Sequence, residues 1–225
     1  MPIFRVIPST VRRVVLTVSL ALGLAATASA QVAYSFDRFL SGGGGGQDPQ
    51  KQRLAQQVGA YTCLGISPGP EGNTVRFTIW SRSLQPRARV VNIAFDLGRH
   101  AGLFRSVAVV MASPGVKASV VAAQQHPFFR TMTPEFAIDI AHRGHLQPDG
   151  LSSGRLIAIS ATLGDGRTIA DVVSALDEGL SPTTGVNGLR VGVIALWLLG
   201  GPPPGVPTIQ DDGGFVTAGH SPACR

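Results

Sequence analysis

Apolar and polar side chains alternate with a period of two through most of the chain after Asn73. Val75, Phe77 and Ile79 alternate with Arg76, Thr78 and Trp80, and Val91, Ile93 and Phe95 with Asn92 and Ala94. Leu103, Val107, Val109 and Met111 share one side of a further segment, as do Phe136, Ile138 and Ile140 in another. Ile157, Ile159 and Ala161 repeat the pattern against Ala158, Ser160 and Thr162. Successive side chains of a strand point to opposite faces, so each segment predicts a strand with one face buried. Leu189, Val191, Val193, Ala195 and Trp197 alternate instead with Ile194, Leu196 and Leu198. A strand apolar on both sides is expected inside a sheet, not at its edge. A last short strand is expected near Phe215-Val216.

One segment changes period. Ile169, Val172, Val173, Leu176 and Leu180 fall on a helical stripe, Thr168 and Asp171 resemble a capping box, and Gly179 suits a C-terminal stop. Turn residues fill the gaps between the strands: Gln85-Pro86, Ser113-Pro114-Gly115, Gln147-Pro148-Asp149-Gly150 and Gly164-Asp165-Gly166. Many strands separated by turn signals predict a mainly β fold, an antiparallel β-sandwich of about seven or eight strands with one late amphipathic helix. The single sandwich domain is expected over residues 48–225, ending in a Pro/Gly-rich segment that begins at Gly200. Asp48-Pro49 reads as the start of a short helix over Gln50–Val58. Residues 31–47 read as a flexible arm, because Gly42 to Gly46 are five consecutive glycines. Gln47-Asp48-Pro49 follows them where a phosphate-binding loop needs Lys-Ser/Thr.

The first thirty residues have a different pattern. Arg5, Arg12 and Arg13 precede an apolar run from Val14 to Ala26 that ends in Ala28-Ser29-Ala30. This three-part pattern predicts a secretory signal peptide over residues 1–30, cleaved after Ala30. The run is too short for a membrane span, and no later stretch reaches the roughly 18 apolar residues a span requires. Only 14% of the 225 residues are charged and 44% are hydrophobic, which excludes a charge-driven disordered chain. Three of the 19 basic residues leave with the signal, so 16 face 13 acidic ones and the net charge falls from +6 to about +3. A nucleic-acid surface is therefore not expected. A local excess survives: Arg76, Arg82, Arg87, Arg89, Arg99 and Arg105 share a stretch whose single acid is Asp96. Were these arginines to share a face, they would suit an acidic polymer. Arg76, Trp80, Arg82 and Arg89 are the candidate ligand-binding residues, with Trp80 as the exposed ring. The two cysteines, Cys63 and Cys224, are expected to form a disulfide in an oxidising compartment.

No catalytic or metal-binding set emerges. Gly65-Ile66-Ser67-Pro68-Gly69 has the letters of a nucleophile elbow, but Pro68 has no N–H for the oxyanion hole. His142 and His145, with His126 and Asp139 upstream, lack the helix and glutamate of a zinc protease. Asp165, Asp211 and Asp212 could contribute oxygens to a calcium site but lack calcium-loop spacing, and tight turns explain them equally well. Asp96, Glu135 and Asp139 are carboxylates a glycosidase could use, though the sequence brings no pair together. No metal site, cofactor or catalytic residue is predicted.

Three stretches resemble a known family. Arg89-Val90-Val91-Asn92-Ile93-Ala94-Phe95-Asp96, Thr168-Ile169-Ala170-Asp171-Val172-Val173 and Gly188-Leu189-Arg190-Val191-Gly192-Val193 look like landmarks of exported β-sandwich-type proteins common among bacterial proteins with a PEP-CTERM sorting tail. The resemblance covers roughly residues 74–216. The chain departs from that pattern in ending at Ala223-Cys224-Arg225, without the Pro-Glu-Pro signal, terminal membrane helix or basic cluster. The resemblance implies a bacterial protein exported to the periplasm or beyond, in an extracellular and matrix-associated role, and supplies no catalytic residue. The expected function is a secreted, non-catalytic interaction module that binds an acidic polysaccharide or another exported protein. The alternative is an extracellular hydrolase acting on a glycan or polyester.

Overall fold

The alternating segments form two antiparallel sheets that share one core. The structure is a computed structural model and describes residues 32–36, 38–40, 61–82, 88–122, 132–140, 150–181, 187–198, 210–216, 219–220 and 224. The chain divides into two units, Met1–Ala30 and Gln31–Arg225, and all described residues belong to the second. The expected signal peptide lies outside the described residues, as do the glycine run Gly42–Gly46, the expected helix Gln50–Val58 and the Pro/Gly segment from Gly200.

In chain order the strands are β1 (Val32–Ser35), β2 (Arg38–Leu40), β3 (Thr62–Pro68), β4 (Thr74–Ser81), β5 (Ala88–Asp96), β6 (Phe104–Ala112) and β7 (Ala118–Ala122). They continue with β8 (Phe136–Ile140), β9 (Leu156–Leu163), β10 (Arg190–Leu198), β11 (Gln210–Val216) and β12 (Gly219–His220), and helix α1 (Ile169–Gly179) lies between β9 and β10. The first sheet has the order β12-β1-β3-β4-β9-β6 and the second β2-β11-β10-β5-β8-β7. The periodicity marks β4, β5, β6, β8, β9, β10 and the end of β11, whereas β1, β2, β3, β7 and β12 carry no such mark in the sequence. Strand β10, apolar on both sides, is interior as expected, between β11 and β5.

The core follows from the alternation. Val75, Phe77 and Ile79 of β4 point inward and are fully buried, as are Ile157 and Ile159 of β9 and Ile93 and Phe95 of β5. Phe77 of the first sheet meets Phe95 of the second edge-on at 5.4 Å, and Phe95 stacks on Phe136 at 4.6 Å. Such aromatic pairs add specific geometry to the area they remove from water. No helix among the described residues is long and apolar enough to cross a membrane.

The arm reading of residues 31–47 is corrected over its first part. Val32 to Ser35 pair with Leu64 and its neighbours in β3, and Arg38 to Leu40 pair with β11. Tyr34 and Phe36 are fully buried, and burial of these two large rings holds this part of the segment in the fold.

Helix α1 starts where the sequence marks it. Thr168 caps it, and the Thr168 hydroxyl and Asp171 carboxylate satisfy each other's backbone N–H groups in a full capping box. Val172, Ala175 and Leu176 are buried against the core. Gly179 is the last residue of the helix, as the sequence marks it, and its place there is fixed by close packing. A Cβ there would lie 2.2 Å from the Leu189 carbonyl oxygen, and one on Gly188 would lie 2.2 Å from the Gly179 nitrogen. The two glycines let the helix end lie directly against the chain entering β10, where Leu189 N–H donates to the Ala175 carbonyl at 2.8 Å.

Candidate binding face and charged clusters

Strand β4 turns Arg76, Thr78 and Trp80 away from the core, because Val75, Phe77 and Ile79 face it. Cross-strand pairing sets Arg76 between Ser67 of β3 and Ser160 of β9. Thr78 stands between Gly65 and Ala158, and Trp80 between Cys63 and Leu156. Two residues beyond Arg76, Thr74 pairs with Thr162, whose hydroxyl receives a hydrogen bond from Ser106 of β6 at 2.9 Å. At a strand's rise, Arg76 and Trp80 are about 13 Å apart along β4. Between and around them the outer face of the first sheet carries hydroxyls and small residues.

Trp80 packs against Ala33, Cys63 and Cys224 and is otherwise partly exposed. Cys63 and Cys224 form the expected disulfide, across a sequence separation of 161 residues. The indole therefore rests on a covalently fixed floor. Among the described residues no carboxylate pairs with Arg76, and its Nε atom is buried without a hydrogen-bond partner. Burying part of a cation without an acceptor is costly, so Arg76 is the most exceptional polar group on this face.

The structure does not gather the predicted arginines on one face. Arg82 is exposed just beyond the end of β4, with its N–H donated to the Tyr61 carbonyl at 2.7 Å. Arg89 lies on β5, in the second sheet; its neighbour Val90 faces the core, so Arg89 points from the opposite outer face. Burial holds the Arg89 guanidinium below its ordinary range. The chain changes sheet between β4 and β5, which separates residues that are close in sequence. Arg99 is paired with Glu178 at 2.8 Å and Arg105 with Asp165. Arg76 and Trp80 share the outer side of β4 without touching, and Arg87 lies outside the described residues.

The other motifs resolve structurally. Ser67 is in β3, next to Arg76, and the chain turns into β4 with no helix to follow, so the elbow geometry is absent there. Asp165 is occupied by Arg105, and the turn reading of Asp211 and Asp212 is corrected, since both fall within β11 and pair with β10. His126, His142 and His145 lie outside the described residues. Among the described residues no three His, Cys, Asp or Glu side chains form a group able to hold a metal ion. Asp96 accepts from Gly98 N–H at 3.0 Å, from Thr133 N–H at 3.1 Å and from Arg190. Glu135 accepts from Leu97 N–H at 2.7 Å. Burial, opposed by that hydrogen bond, and the nearby Asp96 charge push the Glu135 carboxyl above its ordinary range. The two carboxylates anchor the ends of β5 and β8, whereas Asp139 is on the exposed side of β8.

Of the three stretches singled out in the sequence, the first (89–96) and the third (188–193) meet at this end of the sandwich, while the second (168–173) caps and starts α1. Asp96 closes the first and pairs with Arg190 of the third, and Gly188 of the third lies against the end of α1. Their contacts hold the fold together.

The sequence reading missed a titratable cluster beside them. Asp177 accepts hydrogen bonds from Tyr34 O–H and His220 Nε2, both at 3.0 Å. Glu178 is paired with Arg99 and with His100 Nε2 at 2.9 Å. Two acids in the last turn of a helix oppose its dipole, and that conflict is the signal in the sequence that cations arrive from elsewhere. Burial, and then the hydrogen bond to Asp177 and its negative charge, push the Tyr34 phenol well above its ordinary value. The folded chain thus keeps a proton that the unfolded chain releases near pH 10. This contribution is complete below about pH 10 and is lost as pH rises through the folded value. Tyr34→Phe is expected to cost about 1–2 kcal/mol at pH 8. It should also flatten the fall in stability above pH 10, measured by urea unfolding at a series of pH values. An unchanged alkaline slope would show that Tyr34 does not carry it.

The chain matches no protein-family model, and no curated protein matches it significantly.

Proposed function

We propose that this chain is an exported, non-catalytic β-sandwich acting as a surface or extracellular-matrix interaction module. It holds a polysaccharide or another exported protein on the outer face of its first sheet. The observation that carries the reading is the outward stripe of β4, where Arg76 has no carboxylate partner among the described residues and Trp80 is backed by the disulfide. The Cys63–Cys224 bond is of a kind that persists in oxidising compartments. The signal-like N-terminus and the resemblance to exported sandwich proteins support the same setting. The carboxylates Asp96 and Glu135 are engaged with backbone N–H groups, which favours binding over hydrolysis.

The test is retention of the purified, oxidised protein on a panel of immobilised polysaccharides and exported matrix fractions, with and without calcium. Retention on at least one, weakened at least threefold in Trp80→Ala, supports a binding module on this face. Retention that ignores Trp80 and Arg76 alike would move the ligand site elsewhere. Release of soluble sugars or acids without stable retention would replace this reading with a hydrolase.

A further inference from the structure

We infer that the ligand group recognised on this face is a carboxylate of an acidic glycan, held by Arg76, with a sugar ring farther along the same polymer on Trp80; this rests on the module reading above. The guanidinium is the uncompensated charge of the stripe. Its Nε is closed to solvent, as is that of the ion-paired Arg190, so the terminal nitrogens are the atoms left to meet a ligand, and the cross-strand neighbours of Arg76 are Ser67 and Ser160, which bring no negative charge. Arg99, Arg105 and Arg190 each have a carboxylate within the chain. Arg76 has none among the described residues, so an anion from outside completes a pairing that the fold supplies elsewhere.

The class of anion follows from the surroundings. A planar guanidinium matches the two oxygens of a carboxylate. One guanidinium on an otherwise neutral face suits a polymer whose charges are single and spaced. The face around it offers hydroxyls at Ser67, Thr78, Ser160 and Thr162, which can donate to and accept from sugar hydroxyls. The partly exposed indole of Trp80 gives a sugar ring an apolar surface at the far end of the stripe. A protein partner would call for a more apolar centre than these hydroxyls provide.

The experiment compares uronate polymers (polygalacturonate, alginate and hyaluronate) with the same polymers after reduction of their carboxyl groups to primary alcohols. A sulfated, carboxyl-free glycan is the third arm, and affinity is read by quantitative retention at rising salt. The expected result is at least tenfold weaker binding of one reduced polymer than of its parent. Arg76→Gln should bind the parent about tenfold more weakly and no longer discriminate the two, and Arg76→Lys should recover only part of the affinity. Lys117→Gln, which removes an equal charge from an exposed turn, should change nothing. Trp80→Ala should weaken the parent and the reduced polymer alike. Equal binding of parent and reduced polymers overturns the carboxylate assignment while leaving the module reading in place, as does preference for the sulfated glycan. Failure of the wild-type protein to bind any of the polymers overturns the glycan assignment altogether, and the module reading then rests on its own panel. Thermal melting of each variant confirms that a loss is not one of folding.

Discussion

Replacing both Cys63 and Cys224 by serine is expected to lower the unfolding free energy by about 3–5 kcal/mol. The bond joins β3 to the last residues of the chain across 161 positions. Closing so long a loop removes much freedom from the unfolded chain, on the order of 5 kcal/mol in the chain-entropy account. Both cysteines are also buried beside Ala33 and Trp80, so two serines would place hydroxyls in an apolar pocket. Against a total stability of about 5–15 kcal/mol for an ordinary domain, this is a large share. Urea unfolding of the variant, and of the wild type with reductant, should show a lower midpoint in both. The dependence on denaturant should steepen, because an uncrosslinked chain exposes more surface. A shift below about 1 kcal/mol would show that neighbouring contacts already fix the C-terminus. The same variant removes the floor under Trp80. Its ligand retention should therefore weaken even under conditions where it remains folded, which links the staple to the binding face.

What was legible in the sequence follows from which faces are buried. Strand β4 alternates clearly between a buried and a partly exposed side, and β8 and β9 do so except at Ala137 and Ala158, small residues buried on the outer side. Strand β3 does not: Cys63 and Gly65 on its outer side are as buried as Leu64 and Ile66, so Thr62–Pro68 has no polar face to mark it. Strand β7 fails in the opposite sense, since its residues from Ser119 to Ala122 are all exposed. It is an edge strand, as is β6, whose Val110 and Met111 are half-exposed. The arginine stretch misled for a topological reason. Sequence distance does not record that the chain leaves the first sheet after Ser81 and enters the second at Ala88, which puts Arg76 and Arg89 on opposite sides. The pairing of Asp177 and Glu178 with Tyr34, His220, Arg99 and His100 joins distant parts of the chain, and no local pattern gives those partners.

Asp96→Ala is expected to be about as damaging as loss of the disulfide, at roughly 3–5 kcal/mol, because it breaks a buried ion pair from one side. Asp96 is 3% exposed and ends β5 directly opposite Arg190 of β10. Its two oxygens take the N–H groups of Gly98 and Thr133 as well as the Arg190 guanidinium. Alanine leaves two backbone donors and the buried Arg190 cation without this acceptor. Arg190→Met should cost less, about 1–3 kcal/mol, because the carboxylate keeps both backbone donors while the buried cation is removed. The order of the two costs is the discriminating quantity. A surface-like pair would give small and equal losses, whereas a carboxylate that organises the chain gives the aspartate variant the larger one. Glu135 supplies a second readout. Burial is the main reason its carboxyl is raised, and the Asp96 charge adds to it. Removing Asp96 should therefore lower the Glu135 titration towards the ordinary carboxylate range without restoring it fully, as followed by side-chain NMR. A raised carboxyl favours folding below its unfolded value, and that contribution is lost as pH rises through the folded one. Part of the Asp96→Ala loss should accordingly shrink near neutral pH, where Glu135 no longer faces a second negative charge. If the two variants lose equal stability and Glu135 does not move, then the pair is peripheral. The joining of the β5 end to β8 and β10 would then rest on packing alone.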